Sequence, residues 1–374
     1  MKRSSTWDPC IYHRGQDAVR FAQEFFADQK RRVVAIGGAG FDPRCLQLVT
    51  SLSASCGPRL SGFFIREHRP NPSEDLKRVA EKNDQRIRDL VAPVDVFEVD
   101  VFDIDNAPVG GRRATQSLHS RLKLGGVTDI VLDCSALSVG LMFPLARYCL
   151  EVVRQEERTI NFHIFVLDDP ATDSAIRSTS CGKAAPLHGF NGGLSLEENT
   201  DAAKMWLPQL GSGRREVLML IHQHVQPHAV CPILPFPSGN PRTGDTLIEE
   251  YGDLFEANQM APTWHVDARD LVYAHEKNPV DLYRSILKID DARRRVFAET
   301  GGSQLILSPL GSKAVAIGLL MAALERGFAV VSVESIEYRV EPGPEDLQPN
   351  PSAELVHVWL HGEAYPFRNA EGEL

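Results

Sequence analysis

The chain has 374 residues, of which 43% are hydrophobic and 24% are charged, a composition typical of folded proteins and not of disordered ones. At about 100–200 residues per domain, this length predicts two domains. The 40 Lys and Arg residues against 50 Asp and Glu residues give a formal net charge of −10, which argues against a general nucleic-acid-binding protein.

The first half of the chain alternates short apolar runs with longer amphipathic segments. The apolar runs predict strands at 33–36, 60–65, 94–101, 129–133 and 162–167. The segments between them predict helices at 45–53, 73–91, 112–122 and 141–154. Strands that alternate with helices in this way predict a parallel sheet with helices on both faces.

The second half repeats this alternation after a polar, glycine-rich stretch. Strands are predicted at 230–234, 305–307 and 329–333, with an edge strand at 354–360. Helices are predicted at 246–255, 279–299 and 314–325, and 217–225 fits either a strand or a short helix. The predicted fold class is therefore α/β, with two Rossmann-like units that have mostly parallel sheets and helices on both faces.

The polar stretch sets the predicted domain boundary. We place the first unit at 1–190, a linker or crossing loop at 191–204, and the second unit with its C-terminal edge strand at 205–374. Two pairs of turns suggest an internal architectural repeat: 37–44 with 238–245, and 133–140 with 308–313. All four turns follow predicted strands, and ligands of open parallel sheets bind at the carboxyl ends of strands.

The first candidate site is the glycine-rich turn after the strand at 33–36. Gly37, Gly38 and Gly40 allow close backbone approach, and the helix that follows offers free N–H groups to an anion, with Arg44 in its first turn. The turn departs from the dinucleotide-binding pattern GxGxxG because Pro43 stands at the third glycine position. A glycine-rich turn without a ligand is the alternative.

The second candidate site is the turn at 308–313, where hydroxyl groups, a glycine and a lysine open an apolar helix. Ser308, Gly311, Ser312 and Lys313 combine hydrogen-bond donors, positive charge and a helix N-terminus, although the P-loop spacing is absent. Over about 40 residues this arrangement resembles the CARF (CRISPR-associated Rossmann-fold) sensor domains. That resemblance implies binding of cyclic or linear oligonucleotide second messengers at a dimer interface. A solvated helix start is the alternative for Lys313.

Histidines and carboxylates provide the remaining candidates. On a strand, His222 and His224 would share one face and, with His228, could bind a metal; a polar loop without metal is the alternative, and we expect no metal or cofactor. The loop at 265–278 gathers many titratable groups. Asp133, Asp270 and Glu276 are the candidate catalytic carboxylates, although no complete catalytic set is recognisable.

The sequence also predicts where the protein resides. The apolar run 314–324 is shorter than the roughly 18 residues that a membrane span requires, and the first nine residues lack the apolar core of a signal peptide. The 7 cysteines are scattered and form no CxxC pair, which argues against a disulfide framework. We therefore expect a cytoplasmic protein with no membrane association.

Together these patterns predict a cleft at the strand carboxyl ends that binds a phosphorylated small molecule or short oligonucleotide. Its anion contacts would include Arg44, Arg242 and the turn at 308–313. One alternative is a nucleotide or N-glycosidic-bond hydrolase or transferase on the same cleft, so the sequence leaves open whether the protein is an enzyme. A second alternative is a structural subunit of a multi-protein assembly. A homodimer or a protein-complex partner is compatible with the first reading.

Overall fold

The computed structural model of the protein describes residues 5–192, 202–255, 264–345, 347 and 350–365. The strands in this part of the chain are β1 (Ile11–Arg14), β2 (Val33–Gly38), β3 (Leu60–His68), β4 (Val94–Asp100), β5 (Asp129–Asp133), β6 (Asn161–Asp168), β7 (Ile176–Pro186), β8 (Ala203–Gln209), β9 (Ala229–Val230), β10 (Ile233–Pro235), β11 (Val272–Ala274), β12 (Ser303–Pro309), β13 (Ala329–Val340) and β14 (Glu354–His361). The α-helices are α1 (Gln16–Phe25), α2 (Gln47–Cys56), α3 (Glu74–Leu90), α4 (Gly110–Arg121), α5 (Val139–Gln155), α6 (Pro170–Ala175), α7 (Arg215–Val225), α8 (Thr243–Phe255), α9 (Pro279–Val296) and α10 (Lys313–Arg326).

The described chain divides into two compact units. The first unit comprises the described residues of Pro9–Thr179 and those from Ser335 onward, and the second comprises the described residues of Ser180–Glu334 and those before Pro9. Both boundaries fall inside strands, one in β7 and one in β13. The division therefore differs from the predicted one at 191–204, of which residues 193–201 lie outside the described residues.

The first unit is built on a sheet with the strand order β1-β14-β6-β5-β2-β3-β4. The five strands from β4 to β6 are parallel. Numbered by their sequence among these five and read from β4, they lie in the order 3-2-1-4-5, the doubly wound order of Rossmann-like folds. β14 pairs antiparallel with β6, and β1 pairs antiparallel with β14. The prediction that 354–360 forms an edge strand of the second unit is therefore wrong, because this segment lies inside the first unit's sheet.

The second unit is built on a sheet with the strand order β11-β10-β8-β12-β13-β7, and β9 pairs with β8. From β11 to β13 the pairs are parallel, and these strands again lie in the order 3-2-1-4-5. The order of strands reverses between β8 and β12 in this sheet, and between β2 and β5 in the first. The α/β fold class with two mostly parallel sheets is thus confirmed.

The shared strand order tests the predicted correspondence between turns. The turns at 133–140 and 308–313 both follow the fourth parallel strand of their own sheet. The turn at 37–44 follows the first strand, β2, whereas the turn at 238–245 follows the second strand, β10. Pairing those two was therefore wrong, and the counterpart of 37–44 is the loop at 210–214 after β8.

The central elements follow from continuous apolar runs, which are typical of strands and helices buried on all sides. All six residues of β2 and all eight of β6 are buried, and so is the stretch 314–323 of α10. Polar side chains cap two of the helix starts: Ser73 accepts a hydrogen bond from the Leu76 amide of α3, and Asn278 accepts one from the Val280 amide of α9. Among the described helices, none combines the length and the apolar character needed to cross a membrane.

Candidate functional site

The most complete candidate site lies in the second unit, where the loops that follow β8 and β12 meet backbone to backbone. A Cβ on Gly211 would lie 2.4 Å from the Leu310 carbonyl oxygen, and one on Gly311 would lie 2.8 Å from the Leu210 carbonyl oxygen. Only glycine permits this approach at either position. The contact joins the loops that lead into α7 and α10 at the point where the strand order reverses, which is where ligands of such sheets bind.

The loop before α7 holds a carboxylate. The Ser212 hydroxyl donates a hydrogen bond to Glu250 Oε2 at 2.7 Å, and the Gly213 amide donates one to Glu250 Oε1, also at 2.7 Å. Burial alone would raise the pKa of Glu250, but these hydrogen bonds outweigh it and hold the pKa below its usual value. The loop therefore stabilises a negatively charged oxygen group, which α8 supplies here.

A second contact from α8 fixes the shape of the same loop. The Tyr251 hydroxyl donates to the Gly211 carbonyl oxygen at 2.5 Å and accepts from the Arg214 amide at 3.0 Å. Tyr251 is fully buried, so these two hydrogen bonds connect the loop to the core of the unit. Arg215 follows and pairs with Asp253 of α8, with 2.9 Å between its Nη1 and Asp253 Oδ1.

The predicted turn at 308–313 spans the end of β12 and the start of α10, and it contains four of the predicted ligand contacts. Ser308 is fully buried; it accepts a hydrogen bond from the Trp206 indole at 2.9 Å and donates one to the Val331 carbonyl at 2.7 Å. Gly311 makes the backbone contact described above. Ser312 caps α10, and its carbonyl accepts a hydrogen bond from the Gln209 side chain at 2.9 Å, while Lys313 is the first residue of the helix.

Arg242, the other predicted anion contact of this unit, lies in the loop between β10 and α8. Its side chain is 74% exposed and lies 3.9 Å from Glu249, a separation at which an exposed ion pair stabilises little. In the sheet, β10 is the neighbour of β8 on the side away from β12. Arg242 therefore follows a different strand from the two whose loops meet at Gly211 and Gly311.

The predicted loop of titratable residues at 265–278 is divided by β11. Asp270 precedes the strand, where its carboxylate accepts a hydrogen bond from the Asp267 amide at 2.8 Å in a capping box. Glu276 follows the strand and accepts a hydrogen bond from the Gly239 amide at 2.6 Å. Because these two carboxylates lie at opposite ends of one strand, the segment 265–278 is not the single loop that the sequence predicted.

The predicted metal ligands are arranged differently from the expectation. His222 and His224 lie in α7 and not on a strand, so residues two apart no longer share a face. The His222 ring stacks on Trp264 with ring centroids 5.2 Å apart, and burial lowers the pKa of His222. His228 accepts a hydrogen bond from the Lys204 amide at 3.1 Å. Within the described ranges, no group of three His, Cys, Asp or Glu residues is placed to hold a metal ion.

In the first unit, the loops after β2 and β5 also meet closely. A Cβ on Gly38 would lie 3.0 Å from the Ala136 carbonyl oxygen, whereas Gly40 has open space around it. Asp133, at the end of β5, accepts hydrogen bonds from the Ser135 amide at 2.9 Å and its hydroxyl at 2.5 Å. A Cβ on Gly37, beside it, would lie 3.4 Å from the Cβ of Asp133.

Acidic groups already occupy the anion-binding positions of the first unit. The Ser138 amide before α5 donates to Glu67 at 2.7 Å. Arg44 is 3% exposed and is held by Asp42 at 2.7 Å and by Asp173 at 2.8 Å. Burial alone would lower the pKa of Arg44, but these two carboxylates outweigh it and raise the pKa. A phosphate could reach Arg44 only by displacing a carboxylate from it.

Six residues of the second unit's site were not singled out from the sequence: Gly211, Ser212, Gly213, Arg215, Glu250 and Tyr251. A signal for the first three exists, because Gly211-Ser212-Gly213 follows a strand and precedes a helix. It was missed because β8 itself was not predicted. Nothing in the local sequence indicates Glu250, since its contact joins residues 37 and 38 positions apart.

No protein-family model matches this chain, and neither does any curated protein. Among solved structures, it is similar to a protein described as a universal stress protein of Pseudomonas aeruginosa UCBPP-PA14, with 9% identity, 84% of this chain and 96% of the other covered, and a TM-score of 0.22. A functionally unknown protein from Pseudomonas aeruginosa PAO1 has the same identity and TM-score, with 83% and 95% covered.

Proposed function

We propose that the second unit binds a phosphorylated, nucleotide-type ligand at the carboxyl ends of β8 and β12. The observation that carries the proposal is the loop before α7, which already holds the carboxylate of Glu250 through the Ser212 hydroxyl and the Gly213 amide. A phosphate presents the same kind of negatively charged oxygen to such donors. The N-terminus of an 11-residue helix adds its dipole to the attraction.

The neighbouring turn supplies the rest of the anion-binding character. Gly311 brings the start of α10 against the loop at Gly211, which leads into α7. Lys313 opens α10 and adds a cationic side chain to that helix start, whereas Arg215, which opens α7, is already paired with Asp253. A ligand with more than one phosphate group matches this pair of helix N-termini better than a single carboxylate does.

The CARF resemblance of the turn at 308–313 narrows the proposed ligand to an oligonucleotide second messenger. Its residues Gly311, Ser312 and Lys313 form one side of the proposed site, which supports this choice. The resemblance also implies a dimer, so we propose that two copies of the chain share the ligand. In this reading the protein senses a phosphorylated messenger, and Glu250 occupies the site when the messenger is absent.

Binding should be measured by isothermal titration calorimetry with mononucleotides, dinucleotides and cyclic oligonucleotides. In Glu250→Gln the internal competitor loses its charge, so we expect affinity for the best ligand to rise by about tenfold. In Lys313→Ala we expect it to fall by at least about tenfold. Glu249→Gln is the matched control, because Glu249 is exposed and makes no contact with the Ser212 loop in the described structure.

The outcomes separate clearly. A ligand whose affinity rises in Glu250→Gln and not in Glu249→Gln supports the proposed site. If no compound of the panel binds either the wild-type protein or Glu250→Gln, the second unit does not bind nucleotides. If a nucleotide binds but the Glu250 and Lys313 variants leave its affinity unchanged, the ligand lies elsewhere.

A further inference from the structure

The first unit contains three histidines joined by hydrogen bonds on three adjacent strands. Nδ1 of His13 on β1 lies 2.9 Å from Nδ1 of His357 on β14, and Nε2 of His357 lies 3.0 Å from Nδ1 of His163 on β6. Nε2 of His163 then lies 3.5 Å from Asp129 Oδ1 at the start of β5. The chain of imidazoles thus crosses the two antiparallel strands and ends on a carboxylate of the parallel sheet.

The chain is enclosed by aromatic rings. His357 and His163 are fully buried, and His13 is partly exposed at the outer strand. The ring of Phe21, from α1, stacks on both His13 and His357, with centroids 4.7 and 4.3 Å away. Trp359 covers His163 with centroids 4.7 Å apart. Water therefore cannot solvate a charge on the inner two histidines.

The hydrogen bonds have a direction that Asp129 sets. Its Oδ1 accepts hydrogen bonds from Arg31 at 3.0 Å and from the Asn161 amide group at 2.8 Å, which keeps the carboxylate ionised. The tautomer of His163 that suits this carboxylate has its N–H on Nε2, 3.5 Å from Asp129 Oδ1. Its Nδ1 then accepts from His357, which in turn accepts from His13. Each imidazole in this arrangement is neutral: His357 donates one hydrogen bond and accepts one, and His13 donates one to His357.

Protons change this arrangement in two stages. One added proton enters at His13 and can pass along the chain to His163 beside Asp129, and both links between histidines survive with their directions reversed. A second proton leaves two of the three rings as imidazolium, so at one link both facing nitrogens carry a hydrogen. That link has no acceptor left, and its hydrogen bond is lost in an apolar environment that also holds two like charges.

Burial outweighs the charged groups near the chain, so protons enter it only below the usual pKa of a histidine. Asp17 of α1 favours protonation of His13, but burial outweighs it and the pKa of His13 is lowered. Around His163, Asp129 and Glu363 favour the charged ring while Arg31 opposes it; burial again dominates and lowers its pKa. The pKa of His357 is lowered most clearly, by burial and by its two histidine neighbours.

We propose that this histidine chain is a proton-operated latch, which holds β1 and β14 on β6 while it is neutral and loosens them when it takes up a second proton. The latch acts on the two strands that the histidines bridge. The parallel strands β2 to β5 contribute no histidine to it, so they keep their pairing. This inference does not depend on the proposed ligand of the second unit.

Hydrogen exchange of the full chain at about pH 7.5 and about pH 5 tests the latch, with rates corrected for the intrinsic pH dependence of exchange. We expect amide protection in β1 and β14 to fall at the lower pH by at least about tenfold more than in β2 and β3. His357→Gln keeps a donor and an acceptor but cannot titrate, so this selective loss should disappear. His68→Gln removes an exposed histidine from the same sheet and should behave like the wild type.

Two results would overturn the latch. The first is an equal loss of protection in all strands of the wild-type unit on acidification. The second is a selective loss in β1 and β14 that persists in His357→Gln. If that variant does not fold, nitrogen-15 chemical shifts of the wild-type imidazoles decide: two of the three rings must become protonated over the pH range in which β14 loses protection, and protonation without that loss contradicts the proposal.

Discussion

At the scale of single residues, the chemical type of a side chain does not predict whether that side chain is available to bind a ligand. Ser308 and Ser212 are both hydroxyls at the carboxyl end of the same sheet. The Ser308 hydroxyl is buried and already hydrogen-bonded to Trp206 and Val331, whereas Ser212 is exposed and holds Glu250. Arg44 likewise has the charge expected of a phosphate ligand, but it is buried between two carboxylates.

The two serines give a matched test. Ser308→Ala leaves the Trp206 indole N–H and the Val331 carbonyl without their shared partner, so we expect the second unit to lose about 1–3 kcal/mol of unfolding free energy. Ser212→Ala removes an exposed contact and should change stability by less than about 0.5 kcal/mol while weakening ligand binding. Urea unfolding and calorimetry check both. Equal losses of stability in the two variants would contradict this assignment.

At the scale of elements, helices α9 and α10 show how a single glycine sets a packing distance. A Cβ on Gly318 of α10 would lie 2.5 Å from the Pro279 carbonyl at the start of α9. Gly318→Ala must therefore push the two helices apart, and we expect a loss of about 1–3 kcal/mol. Gly252 of α8 has open space around it, so Gly252→Ala should gain about 0.5–1 kcal/mol. Thermal unfolding should show changes in stability of opposite sign for the two variants, and a gain of stability in Gly318→Ala would contradict the close packing.

Elements whose residues form one continuous apolar run could be predicted from the sequence, and elements defined by distant partners could not. β2, β5 and α10 are such runs, and their predicted positions agree with the structure. β8 was missed because Lys204, Pro208 and Gln209 interrupt its apolar residues. β14 was recognised as a strand but assigned to the wrong sheet, because its partner β6 lies about 190 positions earlier and no local pattern encodes that pairing.

The same division applies to the candidate site. The turn at 308–313 could be predicted because its residues are adjacent in the sequence. Glu250 could not, because only the folding of α8 onto the loop at 211–213 brings the carboxylate there. At Gly211 and Gly311 the sequence shows the glycine, but it does not show which backbone segment that glycine contacts.

At the scale of the whole molecule, the lowered pKa values of the buried histidines predict how stability depends on pH. For His13, His163 and His357 the folded pKa lies below the unfolded value of 6.5, so below about pH 6.5 the unfolded chain binds protons that the folded chain does not. Their contribution is complete above that pH and is lost as the pH falls. Urea unfolding at pH values from about 8 to about 5 should show this decline.

The formal net charge of −10 acts in the opposite direction, because acidification reduces repulsion between surface carboxylates. A salt series separates the two effects, since added salt screens the surface charges and leaves buried histidines largely unaffected. Stability that rises steadily from neutral to mildly acidic pH, at high salt, would contradict the assignment of the histidines.

The first unit is made of two chain segments that are separated by the second unit, and this order affects folding during synthesis. Its sheet is completed by β14, which leaves the ribosome only after the whole stretch 180–334 has been made. Until then β6, whose eight residues are all buried in the finished protein, has one edge without a partner. Unpaired apolar edges are where nascent chains pair with the wrong strand or with each other. The last described strand therefore covers an apolar edge that would otherwise stay unpaired, and premature termination before Glu354 would leave that edge open.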